Sequence, residues 1–118
     1  MRIGLAMALG LALLLLAGEA ARAEDAAPRV IKVVAKKFDF TPSEIHIKKG
    51  EHVVIELTST DRKHGFKVPE LGIRVDVQPG ATTKVDLTPQ KVGKFAFACD
   101  IFCGDGHEDM TGTLIVDP

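Results

Sequence analysis

Glu44-Ile45-His46-Ile47-Lys48-Lys49-Gly50-Glu51-His52-Val53-Val54-Ile55-Glu56-Leu57-Thr58 is the stretch from which the fold is read. Glu44 to Lys48 alternates polar and apolar residues without a break. After the Lys49-Gly50-Glu51 turn, Val53, Ile55 and Leu57 alternate with Val54, Glu56 and Thr58. A period of two places the two sets on opposite faces of a strand, whereas a helix face needs 3.6. Outward from here the same pattern recurs in short segments. Val30 to Ala35 opens the series. Ile73, Val75 and Val77 alternate with Arg74 and Asp76, Val85 and Leu87 follow Pro79-Gly80, and Phe95 and Phe97 follow Val92-Gly93. Thr113 to Val116 closes it. No ten-residue window holds a helical period. Short strands punctuated by Gly and Pro turns predict an all-β sandwich or barrel.

The chain has 118 residues, with 15 basic and 16 acidic side chains and a formal charge of −1. Such a balance lacks the concentrated basic footprint that nucleic acid requires. There is no Trp or Tyr, all six Phe lie beyond residue 37, and only two Cys and three Met occur. These counts exclude a multi-domain enzyme, a disordered tail and a disulfide-dense mini-protein. One small domain remains.

The N-terminus carries its own signal. Arg2 precedes an unbroken apolar run of fifteen residues from Ile3 to Ala17, followed by Gly18, Glu19 and the triplet Ala21-Arg22-Ala23. A basic start, a short apolar stretch and an A-x-A site describe a secretory signal peptide, residues 1–23, cleaved after Ala23. A retained membrane anchor is the alternative, but fifteen residues span only ~22 Å as a helix, against a hydrocarbon core of roughly 30 Å. The expectation is a periplasmic or secreted protein with no stable membrane span, anchored only if the leader stays uncleaved. Residues 24–29, small, polar and Pro-containing, read as a flexible lead-in to a domain over residues 30–118.

The link between the last two strands reads Cys99-Asp100-Ile101-Phe102-Cys103-Gly104-Asp105-Gly106-His107-Glu108-Asp109-Met110. Two thiols, an imidazole and a thioether fall within twelve residues, spaced 4, 4 and 3. The glycines allow tight turns that converge the side chains. Thiolate and thioether are soft ligands and imidazole suits copper, so the set favours copper over calcium, magnesium or manganese. Competing readings are a Cys99–Cys103 disulfide in an oxidising compartment, a zinc site of two Cys and two His that leaves Met110 unexplained, and Met110 as a core filler. His64 stands apart in Asp61-Arg62-Lys63-His64-Gly65-Phe66, read as a loop after the Ile55 strand, where a lone His is more often solvated than ligating. His46 and His52 read as surface residues.

Cys-x3-Cys-x3-His-x2-Met, preceded by a His-Gly-Phe segment, resembles the dinuclear copper (CuA) domain of cytochrome c oxidase subunit II and of nitrous oxide reductase. The similarity runs from Phe38-x-Phe-x-Pro through Gly50 and His64-Gly65-Phe66 to Met110-x-Gly-Thr-Leu-Ile-Val. It implies a cupredoxin, a Greek-key β-sandwich. By matching position, it implies that Cys99 and Cys103 bridge two coppers and that His64 binds one and His107 the other. Met110 would be a weak ligand to one metal and the Ile101 carbonyl a ligand to the second. The family centre cycles by one electron between a mixed-valence and a fully reduced pair.

The resemblance implies electron transfer without chemistry on a substrate, and no acid–base pair or nucleophilic array appears elsewhere. Copper loading needs deprotonated Cys and neutral His, so affinity falls in acid. The chain departs from the oxidase pattern: no pair of membrane helices follows the leader, there is no Trp/Tyr-rich stretch, and Ile101 replaces a Glu. These departures favour a free carrier, or a domain serving another redox enzyme, over an integral oxidase subunit. Asp100, Asp105, Glu108 and Asp109 read either as a solvated loop or as an acidic rim steering a basic partner such as a c-type cytochrome. A terminal oxidase is the other candidate redox partner. Copper storage, or delivery to a CuA-type oxidase, is the competing function; a structural zinc or disulfide module is the third.

Overall fold

The computed structural model describes residues 27–118. Nine strands follow in chain order: β1 (Arg29–Lys36), β2 (Asp39–Thr41), β3 (Glu44–Lys48), β4 (Val53–Ser59), β5 (His64–Val68), β6 (Ile73–Val77), β7 (Thr83–Leu87), β8 (Gly93–Ala98) and β9 (Thr111–Asp117). They form two sheets. One has the order β2-β1-β4-β7 and the other β3-β9-β8-β5-β6. β1 pairs parallel with β4 and β3 parallel with β9, while the remaining pairs are antiparallel. The architecture is the β-sandwich that the alternating pattern predicts.

The inner faces are those the sequence marks. β3 buries Ile45 and Ile47, β4 buries Val53, Ile55, Leu57 and Ser59, and β8 buries Phe95 and Phe97. Phe40, Phe66 and Phe97 meet at the centre with ring centroids 5.0 to 5.8 Å apart. Rings of this size each bury enough apolar surface to stabilise the fold by about 1.5–3 kcal/mol. On the outer face of the four-stranded sheet, Lys32, Glu56 and Lys84 stand opposite one another in register, alternating in charge.

Three details differ from the sequence reading. His64 does not lie in a loop: it is the first residue of β5 and fully buried. β5 buries four of its five residues, so it shows no alternation to detect. β2, three residues long, is too short for any period. Arg29 is not part of a flexible lead-in, because it opens β1, donates its N–H to the His52 carbonyl and pairs with Glu51. The leader, residues 1–23, and most of the lead-in lie outside the described residues.

Candidate metal centre

Three segments converge at one end of the sandwich: the β1–β2 turn at Lys37-Phe38, the entry to β5, and the long β8–β9 connection. The last is closed at its base, where the Cys99 N–H donates to the Met110 carbonyl at 3.0 Å. A short 3-10 turn over His107–Asp109 folds its far half back. Gly106, at φ 106°, starts that turn in a conformation side chains rarely adopt. The Phe38 ring lies against the same backbone, so close that a Cβ on Gly106 would fall 3.1 Å from it.

His64 is fixed from behind. Its Nε2 lies 2.7 Å from Oδ1 of Asp61. Asp61 also accepts the Arg62 N–H at 2.6 Å on that oxygen and the Lys37 N–H at 2.7 Å on the other. Burial pushes the Asp61 carboxyl up, but the Lys37 amide, His64 and the Arg62 amide outweigh it and bring the pKa down to about 2. An ionised carboxylate only accepts, so His64 carries its proton on Nε2 when neutral. The Nδ1 lone pair is thereby left facing the sulfur of Cys99, 3.9 Å away.

Cys99 follows directly on β8, and its sulfur accepts the Gly65 N–H at 3.4 Å and lies 3.3 Å from the Ile101 carbonyl oxygen. Cys103 is fully buried, with its sulfur 3.7 Å from Nδ1 of His107. Both cysteines are free thiols. Burial, then the neighbouring Cys99, raises the Cys103 pKa. A raised pKa favours the protonated thiol of Cys103, whose proton a metal ion must displace to bind there. The donor atoms of His64, Cys99 and Cys103 all lie within 4.8 Å of one another. Two thiols and an imidazole at that spacing, with no carboxylate among them, form a soft donor set that fits copper.

Of the six residues singled out in the sequence, His64, Cys99 and Cys103 form this mutual cluster, His107 adjoins Cys103, and the Ile101 carbonyl adjoins Cys99. Met110 is completely buried at the end of the connection. His46 and His52 are exposed and paired with Glu44 and Asp86. The acidic rim needs one correction: Asp100 is bound through both oxygens by Arg74, at 2.8 and 2.9 Å, and is not a free charge. Asp105, Glu108 and Asp109 are exposed. Sequence reasoning missed Asp61, although its spacing of three before His64 was there to read.

Residues 5–116 match the family model described as a cupredoxin-like domain. Over 86 residues the chain is 36% identical to cytochrome c oxidase subunit 2 of Thermus thermophilus, covering 73% of this chain and 64% of that one. Over 83 residues it is 29% identical to nitrous-oxide reductase of Stutzerimonas stutzeri, covering 67% of this chain and 13% of the reductase. The chain thus spans less than two thirds of either relative. The crystal structure of the periplasmic domain of subunit II of cytochrome oxidase from Bradyrhizobium japonicum has the same fold. Its TM-score is 0.70 at 20% identity, over 77% of this chain and 85% of that one.

Proposed function

The chain belongs to the cupredoxin-like domain family, and from that premise we propose that it is an exported electron carrier built around a dinuclear copper centre of the CuA type. The observation that carries this reading is the convergence of His64, Cys99 and Cys103 donor atoms within 4.8 Å. Cys99 and Cys103 would bridge the two ions. His64 and His107 would each bind one, Met110 would be a weak ligand, and the Ile101 carbonyl would complete the set. When bound, the copper pair supplies a one-electron couple whose charge is shared over two metals and two sulfurs.

The protein's part is positional. Asp61 presents the Nδ1 of His64, the Gly65 N–H steadies the Cys99 sulfur, and the sandwich fixes the strands bearing both. Ligands held in place rearrange little between oxidation states, which suits electron transfer. A c-type cytochrome fits as donor and a terminal oxidase as acceptor. The leader would place the carrier outside the cytoplasm, after cleavage at Ala23. Among the described residues, no helix is long and apolar enough to cross a membrane.

Copper counting with electron paramagnetic resonance on the copper-loaded mature chain tests this. Two coppers per chain and one unpaired electron delocalised over both are expected. A single copper, or stable zinc in its place, overturns the reading. Cu(I) that passes to an acceptor without reversible cycling would instead support copper delivery.

A further inference from the structure

The β8–β9 connection leaves the sheet at Cys99, and the next residue, Asp100, turns back across β5. There it fills a notch. A Cβ on Gly65 would fall 2.0 Å from Oδ1 of Asp100 and 2.9 Å from the Arg74 guanidinium. Only a glycine admits the carboxylate so close to the β5 backbone. Arg74, on the adjoining strand β6, donates Nε to Oδ2 at 2.9 Å and its terminal nitrogen to Oδ1 at 2.8 Å. A two-pronged pair of this kind fixes orientation as well as distance. Asp76, opposite Gly65 in the β5–β6 register, holds the same guanidinium from the other side.

We propose that Arg74 and Asp100 act together as positioning residues for Cys99, clamping the start of the ligand loop onto Gly65 so that the Cys99 sulfur stays on the Gly65 N–H. Neither side chain is a ligand. The Gly65 N–H reaches the Cys99 sulfur at 3.4 Å, beside the notch that Asp100 occupies. Releasing Asp100 frees the backbone between Cys99 and Ile101, which carries a proposed sulfur donor and a proposed carbonyl donor. This inference rests on the copper reading for its consequence, but the clamp itself is a property of the metal-free chain.

Two measurements separate them. In the copper-loaded protein, release of Cu(I) to an excess of a strong chelator is followed in Arg74→Ala, Asp100→Ala and the double variant. Each single change should speed release roughly three- to tenfold, and the double variant should match the faster single one. Asp100→Asn, with the same shape but one acceptor oxygen, should fall between. Unchanged release, or effects that multiply in the double variant, would overturn the clamp. In the metal-free protein, hydrogen exchange at the Gly65 amide should quicken in both single variants while the melting temperature stays close to wild type. Unaltered Gly65 exchange also overturns the clamp. If the wild-type chain takes up no copper, the copper reading fails alone and the exchange data still decide whether the pair holds Cys99.

Discussion

Asp61 and His64, three residues apart, are joined by a 2.7 Å contact from the carboxylate to Nε2, and the other carboxylate oxygen is held by the Lys37 backbone N–H on a separate strand connection. The contact fixes both the ring's tautomer and its direction. Groups of this kind behind a metal-bound imidazole alter affinity about 10- to 100-fold when removed.

Asp61→Asn tests that role sharply. The carboxylate offers oxygens to Lys37, Arg62 and His64 at once, whereas an amide has one oxygen and a donor in place of the other. Copper affinity should fall by about 10- to 100-fold, with the two-copper signal broadened but present. A competition titration against a chelator measures it.

Met110 is wholly buried and is proposed as a weak ligand. Met110→Leu conserves volume, and such swaps usually cost less than about 1.5 kcal/mol of stability. The dinuclear spectrum should survive with a shifted reduction potential, read by voltammetry. Cys99→Ser or Cys103→Ser should abolish it, because a hydroxyl does not replace a bridging thiolate.

The legible part of this chain was the part with a period. β6 begins and ends where the alternation of Ile73, Val75 and Val77 places it, and β3 matches residue for residue. β5 was not legible, because four of its five residues face protein and nothing alternates. That one gap concealed the burial of His64, which only the family resemblance marked as a ligand. Arg74 and Asp100 were equally hidden, since a pairing 26 residues apart has no local signature.

Gly112 tests the packing of the sandwich. A Cβ there would lie 2.2 Å from the Phe97 ring and 2.5 Å from the Ser43 carbonyl oxygen, and the oxygen belongs to backbone that cannot swing aside. Overpacking typically costs about 1–3 kcal/mol. Gly112→Ala should therefore lower the unfolding free energy by that amount, read as a lower urea midpoint with an unchanged slope in denaturant.

His46 gives the fold a pH dependence remote from the cysteines. Glu44 hydrogen-bonds its ring, burial opposes, and Asp117 adds to Glu44, so its pKa is raised above 6.5. Arg29 donates to its backbone carbonyl rather than to the ring. A raised pKa means that protonation favours the folded state. The contribution is complete below pH 6.5 and disappears as pH rises through the folded value. His46→Gln should flatten the stability profile across that window, followed by urea unfolding at several pH values. Salt should shrink the wild-type slope, because the groups are exposed.

Asp105, Glu108 and Asp109 are exposed on the connection that bears Cys103 and His107, whereas Asp100 is tied to Arg74. Free surface charges steer an approaching partner, and paired ones contribute little to that field. If a basic c-type cytochrome is the donor, its rate of reducing the copper-loaded protein should fall as ionic strength rises. Neutralising Asp105, Glu108 and Asp109 together should slow that rate at low salt and weaken its salt dependence. Asp100→Asn removes one negative charge from beside Arg74, so it should weaken the salt dependence by about one charge, less than the triple change does, while also loosening Cys99. Stopped-flow reduction at low and high salt distinguishes the two sets, and a rate indifferent to salt in the wild type would remove steering from the account.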